Sequence, residues 1–272
     1  MADINADQMN EEINEEEMGH MSLFAHLNEL RVRLTWAVGA LVICTIIGFA
    51  VAEPLLEYLM IPYVVSVPDG QAALQTLRPT EGIETYFKVA LLFGAILSMP
   101  IMLYQLWLFI SPGLTKRERR YVYIFIPSAL ALFLIGILFA WFILVPAAVN
   151  FLANFMQGVF RTEWTGQDYI SFVVRMLFWL GVSFEMPIIM YFLARLGIVT
   201  AAVLRENWRY AVVGVAVLAA IITPSIDPVT MMLTMAPLLV LYVMSIFLAK
   251  IGQKQFERSM ALDSDLESGI SA

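Results

Sequence analysis

Residues 107–120, WLFISPGLTKRERR, hold the end of an apolar stretch, a Pro-Gly pair and four cationic side chains around a single acid, Glu118. The apolar stretch begins near residue 85, so as a helix rising 1.5 Å per residue it is long enough to cross a hydrocarbon core of about 30 Å. An apolar helix that stops at a basic loop is typical of a transmembrane span whose end lies in the cytoplasm. This segment therefore predicts a membrane protein and fixes one point of its topology.

The composition of the whole chain agrees with this class. Of the 272 residues, 60% are apolar and 14% are charged, whereas a soluble domain has about 25% charged residues. Five further apolar segments lie at roughly 34–52, 121–145, 170–194, 210–222 and 229–249. The segment at 210–222 has only 13 residues, and TPSIDP (223–228) joins it to the last one as a tight hairpin. We therefore expect an all-α polytopic membrane protein with six transmembrane helices, rather than a soluble helical protein with a large core.

The positive-inside rule orients these six spans. With the N-terminus in the cytoplasm, twelve of the 16 Lys and Arg residues fall on the cytoplasmic side. The remaining four, on the far side or within the spans, are Arg78, Lys88, Arg161 and Arg175. Omitting the short fifth span would move the C-terminal basic cluster outside, so both termini are expected in the cytoplasm.

Much of the negative charge lies in the first 20 residues. They contain seven of the 23 acidic residues and no Lys or Arg, which leaves 16 acids against 16 Lys and Arg residues in the rest of the chain. This segment lacks the basic and apolar regions of a signal peptide. We expect a disordered acidic tail at 1–20, a six-helix membrane domain at 21–255 and a disordered acidic C-terminal tail at 256–272.

Two acids on the predicted cytoplasmic side are candidate ligand-binding residues, and each has a simpler interpretation. Glu29 precedes the first span, where it either forms an ordinary ion pair with Arg33 four residues later or faces a ligand at the membrane surface. Glu118 is either a loop acid neutralised by the cations beside it or a carboxylate that accepts a guanidinium group through two hydrogen bonds. The residues alone favour the simpler interpretation in both cases.

Glu185, in GVSFEMPII (181–189), lies within the fourth span. A carboxylate inside the membrane is costly unless it faces a polar cavity, finds a partner or carries a proton. Pro187 has no backbone N–H, so it frees a carbonyl near Ser183 and opens the helix locally. A structural hydrogen bond to another span is the alternative, but the pattern favours a functional role.

The sequence contains no H-E-x-x-H, G-x-S-x-G, C-x-x-C or P-loop motif, and its histidines are His20 and His26. Metal binding and nucleophilic catalysis therefore have no candidate residues, and we expect no enzyme activity, cofactor, metal or nucleic-acid partner. The single cysteine, Cys44, excludes an intrachain disulfide. Three function classes remain open: a peptide receptor, an ion-coupled small-solute transporter that uses Glu185, and a membrane scaffold.

Six local motifs resemble, in order and spacing, those of the TatC family, the large subunits of twin-arginine protein translocases. They are HLNELRVRL, YQLWLFISPGLTKRERR, FLANF, DYISFVVRM, GVSFEMPI and ITPSIDPVT, and the match covers roughly residues 21–255. The resemblance implies a concave, glove-like bundle of six helices in the bacterial cytoplasmic (inner) membrane. It also implies the binding of twin-arginine signal peptides of folded proteins. Their export would be driven by the proton-motive force and would involve TatA-like and TatB-like single-span partners.

Position by position, the resemblance assigns signal-peptide binding to Glu29, Phe109 and Glu118. It makes Glu185 the intramembrane polar residue that contacts a partner, and it matches Pro62 and Asp227 to family positions in the outer loops. It further implies a homo-oligomer within the receptor complex. On this reading, Glu118 binds the arginines of the signal peptide while the cations around it keep the loop in the cytoplasm. The long acidic N-terminal tail departs from the family pattern.

Overall fold

The helices account for nearly all of the chain that the structure, a computed structural model, describes: residues 3–66, 74–110, 122–155, 164–223 and 227–270. In chain order they are α1 (Asp3–Leu59), α2 (Ile61–Ser66), α3 (Glu81–Ile110), α4 (Val122–Phe139), α5 (Val145–Asn154), α6 (Gly166–Phe184), α7 (Met186–Arg195), α8 (Ala201–Glu206), α9 (Trp208–Ile222) and α10 (Pro228–Ile270). A π-helical turn, Ala140–Leu144, connects α4 to α5. Strand pairing within these ranges is limited to one bridge between Gln75 and Thr165.

Five helical stretches are long and apolar enough to cross a membrane. They are Leu27–Ser66, Glu81–Phe109, Phe125–Asn154, Gly166–Arg195 and Pro228–Arg258. The sixth apolar helix, α9, has 15 residues, which gives it a length of about 22 Å. The predicted fold class is therefore confirmed, including the short fifth span. The orientation of the termini stays a prediction.

Helix α1 packs along α3 in an antiparallel arrangement, and two glycines allow the close approach. A Cβ atom added at Gly48 would lie 2.4 Å from the carbonyl oxygen of Ala90, and one at Gly94 would lie 2.4 Å from the hydroxyl of Thr45. Small residues at such contacts are how helices approach closely in membranes. These two contacts fix the register between the helices, because position 48 faces 90 and position 45 faces 94.

Helix α6 lies at the centre of the buried core. Tyr169, Phe172, Met176 and Leu180 of α6 are fully buried or nearly so, and the cluster around them includes residues of every long helix. The Tyr169 hydroxyl donates a hydrogen bond to the carbonyl of Leu59 at 2.7 Å, which ties the end of α1 to the start of α6. A core of this kind holds α6 rigidly, so side chains at its end are well positioned.

Helix α7 packs against α10. A Cβ atom at Gly252 would lie 2.4 Å from the carbonyl oxygen of Tyr191. Beyond this contact, the Tyr191 hydroxyl and Arg195 Nη1 both donate to Gln255 Oε1, at 2.8 and 2.7 Å. The end of α7 is therefore fixed to α10 by hydrogen bonds as well as by packing.

The two terminal segments are helical where their composition predicts disorder. Helix α1 begins at Asp3, so its backbone includes residues 3–20, and α10 continues through residues 256–270. Glu, Gln, Met, Ala and Leu are common in these segments and favour a helical backbone. The division of the chain into a membrane domain at 21–255 and two tails stays a prediction.

Candidate functional site

Glu29 lies at the start of the membrane-spanning part of α1. Its Oε1 accepts a hydrogen bond from Arg33 Nη2 at 3.3 Å, and both side chains are 30% exposed. The predicted ion pair between these residues is therefore present. Glu29 Oε2 accepts no hydrogen bond within the described ranges, and the buried Nε of Arg33 has no partner there either. The pair is thus incompletely bonded on both sides and open to a further polar group.

Phe109 is half-buried at the end of α3. Just before it, Trp107 belongs to an aromatic cluster with Phe125 of α4 and Phe192 of α7. The ring centroids are 5.1 Å apart for Trp107 and Phe125, and 4.4 Å apart for Phe125 and Phe192. Aromatic contacts at such distances contribute beyond simple burial. The cluster fixes the end of α3.

The α1–α3 register relates Glu29 to the end of α3. Because 48 faces 90 and 45 faces 94, the same antiparallel register carried along both helices would pair position 29 with positions 109 and 110. Glu118 follows Phe109 by nine positions in the chain and lies outside the described residues. The assignment of Glu29, Phe109 and Glu118 to signal-peptide binding stays a prediction.

Glu185 is the junction between α6, which ends at Phe184, and α7, which begins at Met186. Pro187 lies at the start of α7, where its missing N–H does least harm to the hydrogen-bond pattern. The carbonyl of Glu185 accepts hydrogen bonds from the amides of Ile188 and Ile189, at 3.1 and 3.0 Å. Glu185, a single residue with helical backbone angles, thus separates α6 from α7 next to Pro187.

The Glu185 side chain is buried, with 2% of its surface exposed. Neither carboxylate oxygen has a hydrogen-bond partner among the described residues. The nearby hydroxyl of Ser183 donates instead to the carbonyl of Trp179, at 2.7 Å. The expected alternative, a structural hydrogen bond to another span, is thus not found in the described part of the chain. A buried carboxylate in this state must bind something or carry a proton.

The two outer positions matched by resemblance have visible structural roles. Pro62 is buried in α2 beside Tyr63, whose ring lies 5.4 Å from that of Tyr169. Asp227 directly precedes α10, and its carboxylate accepts hydrogen bonds from the Thr230 amide, at 2.7 Å, and from the Thr230 hydroxyl. This is the arrangement of a helix N-cap. Both residues therefore shape the ends of helices.

Sequence reasoning missed a group of three polar residues between α3 and α6. Lys88 Nζ donates to the hydroxyl of Ser171 at 2.8 Å, and Arg175 Nε donates to the carbonyl of the same residue at 3.1 Å. Ser171 and Arg175 are four positions apart, so the sequence alone could have predicted their contact within one helix. The contact with Lys88 spans 83 positions and arises from the packing of the two helices.

Comparisons with known proteins agree with this architecture. The family model described as Sec-independent protein translocase protein (TatC) matches residues 25–237. The translocase protein TatCy of Bacillus subtilis is 36% identical over 253 residues, which is 93% of this chain and 98% of that protein. TatC of Deinococcus radiodurans is 37% identical over 237 residues, 86% of this chain and 88% of the other. A crystal structure of the twin-arginine translocase receptor TatC superposes with a TM-score of 0.77 at 38% identity, covering 84% of this chain and 99% of that one.

Proposed function

We propose that this chain, which belongs to the TatC family of Sec-independent protein translocase proteins, binds twin-arginine signal peptides at its cytoplasmic face. It is a multi-pass protein of the cytoplasmic membrane and a subunit of a translocase, not an enzyme. These signal peptides are carried by folded proteins, and the proton-motive force drives the export of those proteins. Glu29, Phe109 and Glu118 form the binding site, with both chain termini on the same side of the membrane.

The observation that supports this proposal is the register between α1 and α3. The close contacts at Gly48 and Gly94 set an antiparallel register, and carried along both helices it would pair position 29 with positions 109 and 110. Glu118 follows Phe109 by nine positions in the chain, so the sequence offers a second acid shortly after the end of α3. Two carboxylates at one site suit a ligand with two guanidinium groups, since each can accept a pair of hydrogen bonds.

The resting contact of Glu29 is weak enough to be exchanged. A part-exposed ion pair such as Glu29–Arg33, with its single hydrogen bond at 3.3 Å, contributes about 0–1 kcal/mol. An arginine of the signal peptide can therefore replace Arg33, or bind the Oε2 atom that has no hydrogen bond in the described structure, at little cost. Phe109 supplies a half-buried ring next to this position, against which the apolar part of a signal peptide can pack.

Glu185 is the proposed contact for a single-span partner of the TatA or TatB type. Its buried carboxylate has no partner within the described residues, and a polar side chain of a neighbouring transmembrane helix would satisfy it. A homo-oligomer within the receptor complex belongs to the same proposal. A solute transporter would also use the Glu185 carboxylate, but it would have no need of the two predicted cytoplasmic acids, Glu29 and Glu118.

Site-specific crosslinking tests the receptor function directly. A photo-reactive residue placed at position 118 or 29 should crosslink to a twin-arginine signal peptide. It should crosslink poorly to the same peptide with two lysines, because an ammonium cannot form the bidentate contact. A probe at position 77, exposed at the other end of α3, is the control. Equal crosslinking of both peptides, or from all three positions, would rule out a twin-arginine site here.

A further inference from the structure

A cavity of about 460 Å³ with charged side chains in a mainly apolar wall lies between α8 and α10, and none of its lining residues belongs to the sites described above. Its volume falls within the roughly 300–1,000 Å³ of ordinary ligand pockets. Three cationic side chains line it: Arg205 from α8, and Lys250 and Lys254 from α10. Glu257 is the single acid among the lining residues, and Ile246 contributes to the apolar part of the wall. The cavity therefore has an excess of positive charge.

The three cations have no counter-ion within the described structure. No hydrogen bond or ion pair of Arg205, Lys250 or Lys254 is found among the described residues. The uncharged polar groups of the wall, by contrast, bond to one another. Gln253 accepts from the amide of Ala201 at 3.3 Å and donates to Glu257 Oε1 at 3.0 Å. The three cationic groups are exposed, so they are accessible to an anionic ligand.

The position of the cavity relative to the membrane follows from the exposed apolar side chains of α10. Val240, Val243 and Phe247 are 66%, 65% and 65% exposed, as expected for side chains that face lipid. This exposed apolar row is followed directly by Lys250. The first cation of the cavity therefore lies where the hydrocarbon core gives way to the headgroup layer, at the end of α10 that the distribution of Lys and Arg places in the cytoplasm.

We propose that this cavity binds the phosphate group of an anionic phospholipid of the cytoplasmic leaflet. Basic pockets between transmembrane helices on the cytoplasmic side are suited to such headgroups. Arg205 and the two lysines contact the phosphate from two helices, while the acyl chains lie along Val243 and Phe247. Free phosphate offers the same charge, but it lacks the acyl chains that the apolar row would contact. Lipid binding would join α8 to α10 at the entry to the short helix α9.

Native mass spectrometry of the purified full chain tests this site. We use phosphatidylglycerol and phosphatidylcholine with identical acyl chains, so that net headgroup charge is the variable. The wild type should retain phosphatidylglycerol selectively. Each cation near an anionic surface raises the binding affinity about fivefold. The single change Lys254→Gln should therefore weaken lipid binding about fivefold, and the triple change Arg205→Gln/Lys250→Gln/Lys254→Gln should weaken it about a hundredfold. Equal retention of both lipids by the wild type, or full retention of phosphatidylglycerol by the triple variant, overturns the proposal.

Two controls separate the site from general charge and from misfolding. Arg258→Gln removes a cation one turn beyond Lys254 that does not line the cavity, and it should leave lipid binding unchanged. Glu257→Gln removes the one acid but keeps the oxygen that accepts from Gln253, so it should tighten binding severalfold, which a misfolded protein cannot do. A large effect of Arg258→Gln, or weaker binding by Glu257→Gln, contradicts a local site.

Inorganic phosphate distinguishes a lipid site from a simple phosphate site. Added in large molar excess, it should displace little phosphatidylglycerol, because the lipid has acyl contacts in addition to its phosphate. Complete displacement would show that the cavity selects phosphate alone, and it would overturn the assignment to lipid.

Discussion

Glu29 and Glu185 are carboxylates of one chain in opposite surroundings. Glu29 is 30% exposed and paired with Arg33, whereas Glu185 is 2% exposed and has no hydrogen-bond partner among the described residues. An exposed, paired acid exchanges one cation for another at small cost, since water compensates at every step. A buried acid has no such compensation and strongly favours any polar group that reaches it. The first arrangement suits a receptor that binds and releases peptides, and the second suits a lasting contact within the membrane.

The largest effect is expected from reversing the charge of the second cytoplasmic acid. Glu118→Lys removes a carboxylate–guanidinium contact and adds repulsion, so signal-peptide affinity should fall more than about a hundredfold and export should stop. Glu118→Asp should be milder. Export of a twin-arginine reporter, measured with the amount of inserted protein, checks this. The matched control is Glu206→Lys, because Glu206 is an exposed acid on the predicted cytoplasmic side. Normal export by well-expressed Glu118→Lys would falsify the assignment.

The next effect concerns the buried acid. Glu185→Ala should reduce crosslinking to the single-span partner about tenfold, because a hydrogen bond between membrane helices contributes about 1–2 kcal/mol. Signal-peptide binding should be intact, because the predicted binding residues lie on α1, on α3 and in the loop after α3. Glu185→Gln keeps both the shape and a polar group, so it should preserve substantial export. If Gln and Ala are equally and completely inactive, the carboxyl group acts through a titrating proton and the hydrogen-bond role is wrong.

A smaller effect is expected at the exposed acid. Glu29→Ala should weaken signal-peptide binding up to about fivefold, as suits a part-exposed ion pair, because Glu118 still binds one arginine. Arg33→Gln should strengthen binding slightly, since it frees Glu29 from its resting partner. A binding assay on purified variants measures both. If Glu29→Ala alters only insertion or stability, Glu29 stabilises α1 and does not bind the signal peptide.

The smallest functional effect is expected at Asp227, whose carboxylate accepts hydrogen bonds from Thr230 in the first turn of α10. Asp227→Ala removes the cap of α10 and should cost about 0.5–2 kcal/mol of stability, seen as a lower Tm. Asp227→Asn keeps an acceptor for the Thr230 amide and should retain most of that stability. Neither change should alter signal-peptide affinity. A loss of affinity with an unchanged Tm would show that Asp227 has a role beyond capping.

Local features of this protein were readable from the sequence. The Glu29–Arg33 pair followed from a spacing of four, the break at Glu185 from Pro187, and the spans from apolar length. Each depends on residues within one or two helical turns of each other, where geometry is set by the helix itself. The assignment of residues 1–20 to a disordered tail stays a prediction, and the backbone of residues 3–20 is helical.

What the sequence alone determined was therefore the class of protein, the number of its spans and the acids worth testing. Only the tertiary structure decided which of these meet. The register between α1 and α3 depends on two glycine contacts. The isolation of Glu185 depends on what the other spans place around it, and the basic cavity depends on the approach of α8 to α10. Contacts between distant segments are set by how helices pack, and packing depends on side-chain shapes that no single stretch of sequence contains.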